Sequence, residues 1–299
     1  MNQSFNKLSV YGALAAGLIA IGFAPILVRL ATHTSPITLV TYRTVFAAVL
    51  LLPYWAYKRE PARRKIPLSE RIYLIAAGVC LGFHFTCWLA SLYYTSVAAA
   101  SVLVTIHPVL IILVERLWFK RPFAWTSWLG VFMAFLGSAL LGIFDSQLKQ
   151  SFPDPTLGNI LAISAAFFFA AYLFLGQKIR QKRAWIDYVF PVYSYAGLTC
   201  LLLLLITGNN LFDTTIIGVL AGLGLALGPS ILGHGSMNYA VKYIAPTLLS
   251  TLVLVEPLLA SVLAYFLFNE LPRPLSILAM VIVLTGVSLT WKRRAGEKK

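Results

Sequence analysis

Residues 9–31 read SVYGALAAGLIAIGFAPILVRLA, an apolar run whose only charge is Arg29, close to its end. A helix rises 1.5 Å per residue, so about 20 such residues cross a hydrocarbon core of ~30 Å. This stretch is therefore long enough to span a membrane. A cleaved signal peptide is the competing reading, but the run is long for the apolar part of one. Only Lys7 precedes it as a basic residue, and it leads straight into a second apolar run.

Nine more runs follow, bounded by charge, Pro or Gly: 37–57, 72–94, 97–119, 125–144, 158–177, 187–207, 215–239, 244–268 and 274–291. Hydrophobic residues make up 59% of the chain and charged ones 11%, with a mean hydropathy of +0.81. Soluble domains carry roughly 25% charged residues, so no soluble surface can be built from this chain. One membrane domain of ten helices is expected.

The net charge of +14 would point to nucleic acid in a soluble protein. Here the basic residues lie in short loops, where they set topology. With the N-terminus in the cytoplasm, 20 of the 24 Lys and Arg residues fall on the inner side. Only Arg29, Lys149 and Arg273 are left outside, and Arg43 falls within the second run. Both termini are thus expected in the cytoplasm of a cell whose inner or plasma membrane holds the protein, and nucleic acid drops out as a partner. Cys80, Cys87 and Cys200 all lie within apolar runs, with no metal-ligand spacing among them; no cofactor is expected.

The halves resemble each other at a fixed offset. Gly78 matches Gly228 and His84 matches His234 at 150 residues, while Pro108 matches Pro257 and Gly137 matches Gly286 at 149. A copy of five spans is odd in number, so the second copy must enter the membrane inverted, as in many transporters. The expected organisation is 1–149 for the first five-span repeat and 150–299 for the second, together forming one membrane domain.

Three stretches carry a family resemblance: SPITLVTYRTVFAAVLLLP at 35–53, LYYTSVAAASVLVTIHPVL at 92–110, and KYIAPTLLSTLVLVEPLLASVLAYFLFNELP at 242–272. With ten spans in two copies, they resemble EamA-type members of the drug/metabolite transporter superfamily. The resemblance implies a central cavity between the repeats, alternating access, and export of amino acids, drugs or other metabolites. Copy two has Glu270 where copy one has Arg121.

Polar groups inside spans are costly and must face protein or water. Cys80, His84, Trp88, Ser91 and Thr95 recur every three or four residues on one helix face, and Ser230, His234 and Asn238 do the same in the eighth run. These stripes are expected to face each other across the cavity. Tyr94 and Tyr172 are further aromatic candidates for a solute surface. His107-Pro108 and Glu256-Pro257 occupy equivalent mid-span places, where each Pro frees a backbone carbonyl at membrane depth. Glu256 then binds a substrate amine or carries a coupling proton, with His107 as its partner or a second polar contact. For each of these residues a purely structural role stays open. Arg43, about a turn and a half into its span from the outer face, lies close enough for its long side chain to snorkel, with structural pairing expected ahead of substrate contact.

No nucleotide-phosphate loop and no catalytic triad spacing occurs, so the chain is not expected to be an enzyme. Small-multidrug-type pumps need a carboxylate in the first span, and residues 1–31 contain none. Phosphate-carrying exchangers need fixed mid-span cations, which the spans are expected to lack. A neutral or zwitterionic metabolite, such as an amino acid, is the best remaining substrate class for a secondary transporter. Multidrug efflux, nucleotide-sugar-like exchange, and a membrane-embedded sensor or enzyme are the alternatives. The lipid bilayer and a small-molecule substrate are the expected partners; oligomeric state is not legible.

Overall fold

A computed structural model of the chain describes residues 7–58, 66–117, 120, 123–145, 152–244, 249, 252–253 and 255–290. Among these the chain is helical throughout, with no strand. Much of the charge bias read from the sequence rests on residues outside this set, including Arg59, Arg63, Arg64, Lys65, Arg121, Lys149 and the basic tail at 292–299.

The helices run in order: α1 Lys7–Gly22, α2 Ala24–Leu30, α3 Pro36–Lys58, α4 Leu68–Tyr94, α5 Val97–Val104, α6 His107–Leu117, α7 Trp125–Asp145, α8 Pro155–Arg180, α9 Trp185–Ile206 and α10 Ile216–Leu225. A π-helical segment, Ala226–His234, follows. Then come α11 Gly235–Ala240, α12 Val255–Phe268 and α13 Pro274–Thr290. Among the described residues seven stretches are long and apolar enough to cross a membrane, and Trp125–Leu140, Glu256–Phe268 and Pro274–Leu289 are shorter apolar helices.

Local chemistry sets the helix starts. Ser96 accepts from Ala99 N at 3.1 Å and Asp154 from Leu157 N at 3.0 Å, each satisfying a donor that has no partner within its helix. Pro25 and Pro155 occupy first-turn positions, where a missing N–H costs nothing.

Helix α4 packs on α8 and α9, α3 packs on α9, α1 packs on the π-helical segment, and α7 packs on α13. The last pair touches backbone to backbone. A Cβ on Gly286 would lie 2.6 Å from Ala134 N, and one on Gly137 would lie 2.9 Å from Val283 N. Only glycine permits that approach, which without a hydrophobic driving force in lipid is what holds two helices together.

Two polar clamps bracket the bundle's interior. At one end Arg29 on α2 pairs with Glu270 at 2.9 Å and donates to Thr95 O at 2.9 Å, while Val97 N donates to Glu270 at 2.9 Å. At the other end Arg183 pairs with Glu70 at 2.7 Å, Arg180 Nε donates to Asn238 O at 2.7 Å, and Trp185 Nε1 donates to Gly235 O at 2.7 Å.

Candidate functional site

Between the clamps two helices begin in mid-bundle. Helix α5 ends at Val104, Thr105 and Ile106 form a turn, and α6 opens on His107 and Pro108. Helix α12 opens on Val255 to Pro257, with Glu256 N donating to Val253 O at 2.9 Å. Both breaks fall at the His-Pro and Glu-Pro pairs picked out in the sequence, because proline has no N–H to continue the ladder. The first turns that result carry the positive ends of two helix dipoles into the protein interior.

His107 and Glu256 line a cavity there, together with Arg43 of α3, His84 and Trp88 of α4, Phe169 of α8 and His234. The two histidine rings from the matched stripes meet with centroids 5.8 Å apart, so the stripes do face one another. Phe169 is wedged among them, at 4.9 Å from His84, 4.6 Å from His107 and 5.6 Å from His234. The cavity measures about 30 Å³, room for roughly one or two waters. A metabolite enters only if side chains or helices move.

Arg43 overturns a sequence expectation. Its side chain does not snorkel: it is 1% exposed, its Nε donates to Ser230 Oγ at 2.8 Å, and its guanidinium lies 3.6 Å from the centre of the Phe85 ring. A fixed cation therefore stands in the cavity wall, where mid-span cations were expected to be absent. The direction in which a helix presents a long side chain depends on its neighbours, and no pattern within α3 announces it.

Four buried polar atoms of wall residues have no hydrogen-bond partner among the described residues: Arg43 Nη1, Trp88 Nε1, His107 Nε2 and His234 Nδ1. Each such atom costs about 1–3 kcal/mol. By contrast His84 has its Nδ1 against Ala165 O at 2.9 Å, and His107 has its Nδ1 against Val104 O at 3.2 Å.

The other sequence candidates stand outside the wall. Ser91 is buried with its hydroxyl donating to Trp88 O at 2.6 Å, and Tyr94 is the half-buried last residue of α4. Tyr172 donates to Asn238 Oδ1 at 2.7 Å, and the backbone of Asn238 serves Arg180. Asn238 was expected to line the cavity beside His234; it does not. Asn238 lies on α11, one α-helical turn past His234, and its side chain is taken by Tyr172 of α8 instead. Phe169 was not singled out, since the run Phe167 to Phe169 carries no signal that separates a wall aromatic from a lipid-facing one. No cluster of three or more metal-binding side chains occurs among the described residues.

A second concavity, about 970 Å³, opens between α4, α6 and α8. Its walls are mainly apolar, including Leu110, Leu113, Val114, Phe167 and Phe174. At one end Lys178 donates to Tyr73 Oη at 3.3 Å and lies 4.9 Å from that ring's centre.

Comparison with known proteins matches the EamA-like transporter family twice, over residues 8–143 and 156–292. The chain belongs to this family. It is a multi-pass membrane protein, and its relatives are transporters. It is 26% identical over 295 residues to an uncharacterized transporter of Bacillus subtilis, covering 97% of this chain and 93% of that one. It is 24% identical to a probable terminal-alkyne amino-acid exporter of Streptantibioticus cattleyicolor, covering 67% and 66%, and 23% identical to an S-adenosylmethionine uptake transporter of Rickettsia bellii, covering 81% and 79%. A solved crystal structure superposes with a TM-score of 0.66 at 14% identity, covering 95% of this chain and 98% of the other, so the two share a fold.

Proposed function

We propose that this EamA-like transporter is a secondary transporter that exports small organic metabolites such as amino acids by alternating access. The observation that carries the reading is the cavity with four unpartnered buried polar atoms beside Glu256. Groups that are costly to leave unpaired are retained where a solute satisfies them. The two helix starts at His107 and Glu256 have the form of discontinuous helices, whose N-termini point at substrate in many transporters.

The proposed architecture is ten spans in two inverted repeats, 1–149 and 150–299. The two stretches of family match and the close approach that Gly137 and Gly286 each make to the facing helix support it. So does the packing of α4 on α8, which the pairing of the π-helical segment with α1 mirrors. The charge bias supports both termini in the cytoplasm, with the protein in the cell membrane. Export is the proposed direction, supported by the relative named as an exporter. Glu256 is proposed to exchange a coupling proton, in a wall shared with Arg43, His84, His107 and His234.

A second reading, exchange of an anionic solute, is favoured by the fixed cation of Arg43. Counterflow in proteoliposomes tests both, using radiolabelled amino acids, sugar phosphates and nucleosides. Flux of amino acids supports the first reading and flux of phosphates alone the second. No flux across the whole panel would sink transport itself.

A further inference from the structure

A single buried guanidinium cannot stand alone in a low-dielectric interior, and Glu256 is the only acidic residue in the cavity wall among the described residues. Both line the one small cavity. A carboxylic acid would give a counter-charge to Arg43 alone, an amine to Glu256 alone, and an uncharged solute to neither. A zwitterion gives each group its own counter-charge and adds no net charge to the cavity.

Resting on the transporter reading above, we propose that Arg43 and Glu256 form a two-ended clamp that selects zwitterionic solutes. The guanidinium takes the carboxylate and Glu256 takes the ammonium. Arg43 is held for this role. Ser230 fixes its Nε, Tyr193 Oη donates to Ser230 O at 2.9 Å, and the Phe85 ring sets the guanidinium plane. Nη1 is left without a partner among the described residues. A guanidinium in a set plane presents a fork matched to a carboxylate, which a lysine ammonium does not. Trp88 Nε1 is a second free donor in the same wall, and the rings of Trp88 and Phe169 give the solute's body an aromatic surface.

Tritiated L-phenylalanine is the probe, bound to purified full-length protein, with phenethylamine, 3-phenylpropanoate and the other common amino acids as competitors. The wild type is expected to prefer the zwitterion over either singly charged analogue by on the order of 100-fold, the scale of truncating one partner of a buried charge pair. Arg43→Gln is expected to lose the preference over the amine, and Glu256→Gln the preference over the acid. If Arg43→Gln does not fold, Arg43→Lys takes its place, with an expected loss of about tenfold because the fork is gone. Equal competition by all three solutes in the wild type overturns the clamp. So does zwitterion binding in either Arg43 variant within threefold of wild type. A wild type that binds no amino acid yet passes another solute in proteoliposomes overturns the clamp and leaves the transporter standing. A wild type that moves no solute at all overturns the transporter reading, and the clamp with it.

Discussion

The groove between α4, α6 and α8 measures about 970 Å³ and the central cavity about 30 Å³, yet the small space holds the chemistry. In the groove the basic group, Lys178, already has Tyr73 as a partner, and the walls are hydrocarbon that lipid chains match by dispersion alone. In the cavity a cation, an indole and two imidazoles each keep a polar atom without a partner among the described residues. Volume marks where the bundle is loosely filled; the polar groups are concentrated in the smaller space.

The comparison breaks if cavity and groove respond alike to substitution. The largest effect is expected for the two charged residues of the cavity wall, Arg43 and Glu256. Arg43→Met or Glu256→Leu alone leaves a buried charge uncompensated and is expected to cost about 3–5 kcal/mol of stability. The double variant is expected to cost clearly less than the sum, since the sites share one interaction. Thermal denaturation in detergent measures all three, and additive losses would show that the two residues do not act as a pair.

Glu256→Gln keeps size and hydrogen bonding but removes titration, so folding is expected to survive while the pH dependence of transport disappears. A variant with the normal rate and normal pH profile would show that Glu256 carries no proton, even though Arg43 and three histidines share its wall.

Tyr172→Phe sharpens the cavity's edge. Losing the bond to Asn238 is expected to lower stability by about 1 kcal/mol and to leave solute affinity within twofold. A large loss of affinity with unchanged stability would place Tyr172 in the site. Smallest of all, Leu113→Ala in the groove is expected to change both stability and transport little, within about 1 kcal/mol. Abolished transport there would make the groove a working part of the solute path.

Several elements were legible because they depend on neighbours in sequence. The breaks at Pro108 and Pro257 follow from a missing N–H, and the face shared by His84 and Trp88 from α-helical period. The reading failed where a side chain's direction was chosen by distant partners, as at Asn238, held by Tyr172, and at Arg43, held by Ser230 187 positions away.

By itself the sequence determined that this protein lives in a membrane as a helical bundle, that its apolar runs are interrupted at two mid-depth prolines, and that polar residues line particular helix faces. These are properties of composition and local backbone chemistry, summed over one helix at a time. Only the tertiary structure decided which polar faces meet, that Tyr172 takes the amide of Asn238, and that a guanidinium from α3 closes on the same small space as Glu256 from α12. Those outcomes depend on how separate helices pack against one another, and the free energy of that packing is written in no single helix.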